Sequence, residues 1–214
     1  MRFLLKNTHI IYRICSGIVY ACLFVYVIIQ ETNNLFSVFT IFLLMGSLYE
    51  LNRMISKLDF FFKTVLIIYI ITSVFLLNTI RVLEDGTPLI ILLLSQIWAS
   101  DVGGYIIGKL FGKNKFSNIS PKKTWEGILG SFMFCMLIGY CTKEWIEFYI
   151  KTYWFIVSVS IAISCIIGDL IISKLKRFNN KKHSGVFLPG HGGFLDRLDS
   201  LFFATFIYYL IICI

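Results

Sequence analysis

The stretch FIVSVSIAISCIIGDLIISKLKR at residues 155–177 decides the fold class of this 214-residue chain. It contains no charged side chain before a single carboxylate, Asp169, and it ends in a basic cluster. About 20 apolar residues are needed for a helix to cross the hydrocarbon core of a bilayer, so this stretch predicts a transmembrane helix. A carboxylate inside such a helix is unfavourable by about 2.5–3.5 kcal/mol at mid-membrane, so we expect Asp169 to have a partner.

Six further apolar runs surround this stretch, and short polar segments separate them. The seven runs lie at residues 14–30, 33–49, 64–80, 87–108, 127–142, 152–173 and 200–214. The chain is 57% hydrophobic and 15% charged, and its mean hydropathy of +0.80 is outside the range of soluble domains. We therefore expect an all-α, polytopic transmembrane helix bundle with about seven spans, forming one integral membrane domain over residues 1–214.

The basic residues predict the orientation of the bundle. Of the 20 lysines and arginines, 17 lie in four alternate segments, which are residues 1–13, 50–63, 109–126 and 174–199. This distribution predicts that the N-terminus and both long basic loops face the cytoplasm. The net charge of +8 lies in short loops between apolar runs. We therefore expect anionic lipid headgroups or phosphorylated substrates as partners, and no nucleic acid.

The two halves of the sequence differ in their polar residues. Residues 1–85 contain apolar runs and ordinary polar loops, and we interpret them as a membrane scaffold. Residues 95–203 combine glycines, carboxylates and lysines at the expected membrane edges. We expect the catalytic region there.

A stripe of polar residues follows Asp169 toward the cytoplasmic end of its helix. Ser173, Lys176 and Arg177 follow at offsets of four, seven and eight, which places all four residues on one helical face. Basic residues at a helix end often only reach toward the membrane surface. The carboxylate itself is either solvated at the membrane interface or part of a cation or proton site inside the bundle. Together with such a carboxylate, the basic residues favour a substrate site.

The segment KKHSGVFLPGHGGFLDRLDS at residues 181–200 holds a glycine loop followed by two carboxylates. Such a loop cannot continue a regular helix, but it can bring backbone N–H groups close to an anion. His191 either donates to a phosphate or shapes the turn, and both readings stay open. Asp196 and Asp199 lie on one face of the next helix, where they either cap that helix or hold Mg²⁺.

The other basic loop reads DVGGYIIGKLFGKNKFSNISPKKTWEG at residues 101–127. Ser120 followed by Pro121 predicts an N-cap and a first helical position, so Lys123 and Trp125 would begin a helix at the membrane surface. Asp101 is the first residue of this segment and lies within the apolar run 87–108. It is therefore a second carboxylate that could belong to the site. The glycines of the segment fit a small-xxx-small pattern, which predicts close helix packing.

These motifs together resemble the phosphatidate cytidylyltransferases, also called CDP-diglyceride synthases. Residues 173–199 contain a serine, a KR pair, a later lysine, HGG and DRxD in that family's order, and WASDVGGYIIGKLFGKNKFSNISPKKTWEGILGS at residues 98–131 is similar to its upstream block. The likeness covers residues 95–203, about half of the chain. The sequence departs from the family's pattern at His183, where that pattern has an aspartate.

The resemblance implies an enzyme that transfers the cytidylyl group of CTP to phosphatidic acid, giving CDP-diacylglycerol and pyrophosphate. It implies Mg²⁺ held by Asp169, Asp196 and Asp199, and it leaves a second, monovalent cation open. The implied catalytic residues are Lys176, Arg177, Lys182, His191 and Arg197. The implied substrate-binding residues are Asp101, Lys123, Ser173, Gly192 and Gly193. We expect a bacterial-type cytoplasmic membrane with the site facing the cytoplasm, and a homodimer is left open.

Two other readings remain at this point. Carboxylates inside a membrane and broken helices also describe a transporter or a channel, although the sequence shows no inverted repeat and its charges gather on one side. A related transferase or kinase acting on another lipid or a polyprenol would use similar residues. The apolar spans do not reveal which lipid chain lies between them.

Overall fold

The computed structural model describes residues 19, 21–30, 32–55, 58–117, 120, 123–145, 148–179, 184–185 and 193–213. In this part of the chain the secondary structure is helical, apart from one isolated β-bridge between Lys115 and Thr124. The expected all-α fold class is therefore confirmed.

Each apolar run of the sequence corresponds to one helix. The helices are α1 (residues 21–29), α2 (Asn33–Met54), α3 (Phe60–Val82), α4 (Gly86–Phe111), α5 (Trp125–Thr142), α6 (Phe148–Phe178) and α7 (Leu195–Ile212). A short 3₁₀ turn, Lys143–Trp145, extends α5. Their backbone hydrogen bonds are made within each segment, as a lipid environment requires.

Five helices are long and apolar enough to cross a membrane. The candidate spans are Asn33–Met54, Phe60–Val82, Gly86–Phe111, Trp125–Trp145 and Thr152–Phe178. Large apolar side chains on their outer surfaces, such as Met45, Phe61 and Phe75, are well exposed, as expected of a surface that faces lipid. The chain is an integral membrane protein, and the count of about seven spans stays a prediction.

Helix α7 lies in the interior of the bundle. It packs most extensively against α6, and it also contacts α2, α3 and α4. Half of its side chains are buried, and the Tyr208 hydroxyl donates to the Leu89 carbonyl oxygen of α4 at 3.2 Å. The helix that carries the predicted DRxD motif thus packs against helices from both halves of the chain.

Helices α4 and α5 approach each other through glycines, as the small-xxx-small pattern predicts. A Cβ atom added to Gly103 would lie 2.5 Å from the Gly130 carbonyl oxygen, and one added to Gly127 would lie 2.9 Å from the Gly104 carbonyl oxygen. Any larger residue would push the two backbones apart. This contact aligns the C-terminal half of α4 with the start of α5.

Three side-chain contacts place several helix ends together. Lys123 before α5 reaches α6, Lys176 of α6 reaches α7, and Glu50 near the end of α2 reaches the start of α7. The segment before α5, the C-terminal half of α6, the end of α2 and the start of α7 therefore meet at one end of the bundle, where the candidate site lies.

Candidate active site

A cavity of about 220 Å³ opens between α4, α5 and α6 at this end. Its polar wall contains Asp101 from α4, Lys123 from the segment before α5 and Asp169 from α6. Lys123 Nζ and Asp169 Oδ2 form an ion pair, with the two side chains 28% and 29% exposed. Three residues that are distant in the sequence thus face one partly open space.

The carboxylate of Asp169 has a second neighbour on its own helix. Ser173 Oγ donates to Asp169 Oδ1 at 3.3 Å, as the offset of four residues allows. Arg177, further along the same predicted stripe, is exposed. The two oxygens of Asp169 therefore accept from a lysine of one loop and from a serine of α6.

The start of α5 differs from the prediction. Its N-cap is Thr124, whose side-chain oxygen accepts a hydrogen bond from the Gly127 N–H at 3.1 Å, and the helix begins at Trp125. The prediction that Ser120 caps this helix is wrong, because a second competent cap lies four residues later. Lys123 consequently lies in the loop, where its side chain is not constrained to the helix surface.

The loop before α5 is held by backbone pairing. The Phe116 N–H donates to the Lys123 carbonyl oxygen at 2.9 Å, and the Trp125 N–H donates to the Asn114 carbonyl oxygen at 3.0 Å. The rings of Phe116 and Trp125 stack edge to face with centroids 4.7 Å apart. These contacts fix the backbone from which the Lys123 side chain extends toward Asp169.

A second, less exposed ion pair joins α6 to α7. Lys176 Nζ lies 2.7 Å from Asp196 Oδ1, with the two side chains 13% and 10% exposed. The backbone N–H groups of Ser184 and Gly193 donate to Asp196 Oδ2 at 3.0 and 3.5 Å. Burial opposes ionisation, but the Lys176 ammonium and these N–H groups outweigh it and hold the pKa of Asp196 below its ordinary value.

Asp199 lies one helical turn after Asp196 and is buried. Its Oδ1 atom accepts from the Ser200 N–H at 2.8 Å. The charge of Asp199 is repelled by those of Asp169 and Asp101 and attracted by Lys176. Asp199 is therefore close enough to Asp169 and Lys176 for its charge to interact with theirs.

Three cations surround these carboxylates. Arg197 of α7 is exposed, and its charge acts on Asp101 together with that of Lys123. Lys176 completes the set from α6. Of the three, Lys123 lines the cavity, and a group of cations at one end of the bundle suits a ligand with several phosphate charges.

The donor set bears on the expected metal. Among the residues that the structure describes, no group of three or more His, Cys, Asp or Glu side chains could by itself hold a metal ion. Mg²⁺ is commonly held by one or two carboxylates together with substrate phosphates, so Asp101 and Asp169 in one cavity fit a cation that arrives with a nucleotide. An ion shared by Asp169, Asp196 and Asp199 stays a prediction.

Part of the predicted site cannot be placed. Lys182, His191 and Gly192 lie outside the described residues, and so does His183. Gly193 is described, and its N–H points to Asp196.

Sequence analysis missed one buried acid, Glu50 of α2. Its side chain is 2% exposed, and its Oε2 atom accepts from the Ser184 hydroxyl and from the Leu195 N–H at 3.0 and 3.1 Å. The apolar run of the sequence ends at residue 49, which made Glu50 look like a loop residue. The spacing of the residues could have indicated that Glu50 is buried. It shares one buried helical face with Ser47, Leu51 and Met54.

Comparisons with known proteins identify the class of this membrane protein. A family model described as "Cytidylyltransferase family" matches residues 3–214. A protein named phosphatidate cytidylyltransferase from Rickettsia bellii is 36% identical over 205 residues, which are 92% of this chain and 87% of the relative. The chain belongs to the cytidylyltransferase family, which confirms the resemblance of the two motif blocks.

Two further relatives carry the same name and match over a shorter range. The protein from Synechocystis sp. is 40% identical over 59% of this chain and 44% of its own length. The protein from Mycobacterium leprae is 40% identical over 55% of this chain and 38% of its own length. The chain thus spans less than half the length of these two curated relatives.

Proposed function

We propose that this chain transfers the cytidylyl group of CTP to phosphatidic acid, producing CDP-diacylglycerol and pyrophosphate. Family membership and the names of the relatives support this proposal. The observation that carries it is the cavity in which Asp101, Lys123 and Asp169 meet, beside the Lys176–Asp196 pair.

The proposed reaction is a displacement at phosphorus. An oxygen of the phosphatidate phosphate forms a bond to the α-phosphorus of CTP, and the bond from that phosphorus to the oxygen bridging to the β-phosphate breaks. Pyrophosphate leaves with the bonding electrons. The nucleophile is already an anion at neutral pH, so the protein needs to position two anions and reduce their repulsion rather than supply a strong base.

The cations of the site have this role in the proposal. Lys123 contacts phosphate oxygens at the cavity, where its partial exposure allows it to exchange Asp169 for substrate. Lys176 and Arg197 counter the charge that develops on the departing pyrophosphate, and the resemblance adds Arg177 and Lys182 to the residues that bind phosphate. Ser173 orients the Asp169 carboxylate through its hydrogen bond.

The metal component of the proposal is Mg²⁺, for which the resemblance implies Asp169, Asp196 and Asp199. Because these three do not form a complete site by themselves, the ion would be held by one or two of them together with substrate phosphates. When bound, a divalent cation neutralises phosphate charge and favours departure of pyrophosphate. The carboxylates of α6 and α7 supply hard oxygen donors for it, and Asp101 adds a fourth carboxylate at the cavity.

The membrane location follows from the substrates. Phosphatidic acid has its acyl chains in the bilayer, whereas CTP is water-soluble, so a site at the end of the bundle suits both. The excess of basic residues in the loops after α4 and α6 supports a cytoplasmic orientation of this end, in the cytoplasmic membrane of a bacterium.

The test uses the purified full chain in detergent with Mg²⁺, phosphatidic acid and CTP labelled at the α-phosphate. We expect one labelled CDP-lipid for each pyrophosphate released, and no product with diacylglycerol, which has the same acyl chains but lacks the phosphate. Polyprenyl phosphate is assayed in parallel. Product from that acceptor alone would overturn the assignment of phosphatidic acid, and no labelled lipid from either acceptor would overturn the transferase.

A further inference from the structure

Glu50 is the one buried acid that α2 contributes to the end of the bundle holding the candidate site, as far as the described residues show. It comes from the half of the chain that we interpret as scaffold, and its side chain is 2% exposed. Two segments that flank the predicted glycine loop, at Ser184–Gly185 and Gly193–Leu195, lie directly against its carboxylate. A buried acid is retained only where hydrogen bonds compensate the loss of hydration.

Glu50 caps α7 from another helix. The first N–H groups of a helix have no partner within it, and the N-cap Phe194 has no side-chain oxygen to offer. Glu50 Oε2 accepts the Leu195 N–H at 3.1 Å and so supplies the missing acceptor. A carboxylate at this position also interacts favourably with the helix dipole.

Ser184 connects Glu50 to the ion pair of the site. Its hydroxyl donates to Glu50 Oε2 at 3.0 Å, while its backbone N–H donates to Asp196 Oδ2 at 3.0 Å. Asp196 in turn holds Lys176. Two routes therefore run from Glu50 to Asp196, one through Ser184 and one through the first residue of α7.

The neighbouring glycines leave the space that the carboxylate fills. A Cβ atom added to Gly185 would lie 2.3 Å from Glu50 Oε1, and one added to Gly193 would lie 2.0 Å from Glu50 Oε2. Neither position could hold a larger residue without moving the acid or the loop. The two glycines and Glu50 thus form one closely fitted contact.

We infer that Glu50 is a positioning residue, which fixes Ser184 and the start of α7 so that Asp196 and Lys176 keep their geometry at the site. The expected effect on turnover rests on the proposed function. Hydrogen exchange and thermal unfolding test the contact of Glu50 without any measurement of turnover.

The variants of Glu50 either remove or keep the oxygen that accepts hydrogen bonds from Ser184 and Leu195. Glu50→Ala removes the acceptor, and displacement of site groups by about 1 Å lowers rates by about 100-fold, so we expect a fall in kcat/KM for CTP of this order. Glu50→Gln keeps one oxygen that can accept both hydrogen bonds, so its kcat/KM should stay within about threefold of the parent. Ser47→Ala is the matched control, since Ser47 is equally buried one turn earlier and its hydroxyl has no partner among the described residues.

Activity is measured per folded protein, together with hydrogen exchange of the peptide that contains the Leu195 amide. We expect faster exchange there in Glu50→Ala than in Ser47→Ala. Unchanged exchange, or equal losses of activity in Glu50→Ala and Glu50→Gln, would overturn the inference.

A double-mutant cycle with Gly185→Ala tests the contact separately. The added Cβ should lower the apparent Tm of the parent but have a smaller effect in Glu50→Ala, where the carboxylate is gone. Additive shifts would contradict the fitted contact. If the parent makes no CDP-lipid, the proposed function fails, while the exchange and the cycle still decide the role of Glu50. If Glu50→Ala does not fold, the cycle is repeated with the shorter Glu50→Asp, which withdraws the carboxylate from Gly185.

Discussion

The two lysine–aspartate pairs of the site differ in their surroundings. Lys123–Asp169 borders the cavity, and more than a quarter of each side chain is exposed. The side chains of Lys176 and Asp196 are less than half as exposed, and two backbone N–H groups also donate to the Asp196 carboxylate.

This difference assigns different roles to the two pairs. An exposed pair contributes about 0–1 kcal/mol to stability, so Lys123 can release Asp169 for a phosphate at little expense to the fold. Removing one partner of a buried pair strongly destabilises the protein, because the other partner remains as a buried charge without compensation. We therefore expect the first pair to act mainly on substrates and the second to act on both the fold and the site.

The largest effect on turnover is expected from Asp169→Asn. This change removes the charge that faces Lys123 in the cavity, and we expect kcat/KM to fall by about 1,000-fold or more while the apparent Tm changes little. Cytidylyl transfer and thermal unfolding in detergent measure the two quantities. The control is Lys174→Gln, an exposed charge on the same helix. Full activity in Asp169→Asn would remove this residue from the site.

Asp196→Asn should affect stability as well as activity, in contrast to Asp169→Asn. It leaves the Lys176 ammonium without its counter-charge, so we expect about 100-fold loss of activity and a loss of stability of about 3 kcal/mol. The same two assays apply, with the exposed Glu84→Gln as control for removal of a carboxylate. An apparent Tm equal to that of Asp169→Asn would contradict the distinction between the pairs.

A smaller effect is expected on the pH dependence of the apparent Tm. The pKa of Asp196 is lowered in the folded protein, so its contribution to stability is complete above the unfolded-state pKa of about 4 and disappears as the pH falls through the lower folded-state pKa. The apparent Tm should therefore decrease below about pH 4. Asp196→Asn should show a smaller decrease over the same range, and an identical decrease would show that other groups govern acid unfolding.

The smallest effect is expected from His183→Asp, which restores the residue of the family pattern at a position between Lys176 and Asp196 in the sequence. Activity should be similar or higher, because the family resemblance places an acid beside Lys182. The measurement is the same transfer assay. A complete loss of activity would show that the histidine has a role of its own.

The fold was largely predictable from the sequence, because each helix follows from a contiguous apolar run. The cap of α5 was not, since Ser120 and Thr124 are both competent caps and only the pairing of the 114–125 loop selects Thr124. Glu50 was also missed. Its partners lie 134 and 145 residues away in the sequence, and no local pattern reports such a contact.

The sequence by itself determined the membrane class, the family and most members of the candidate site, because hydropathy and motif order are local properties of the chain. Only the tertiary structure decided which lysine pairs with which aspartate, how exposed each pair is, and that a scaffold helix supports the start of α7. Those properties depend on the packing of α2, α4, α5, α6 and α7 against one another, which brings together side chains that the sequence keeps far apart.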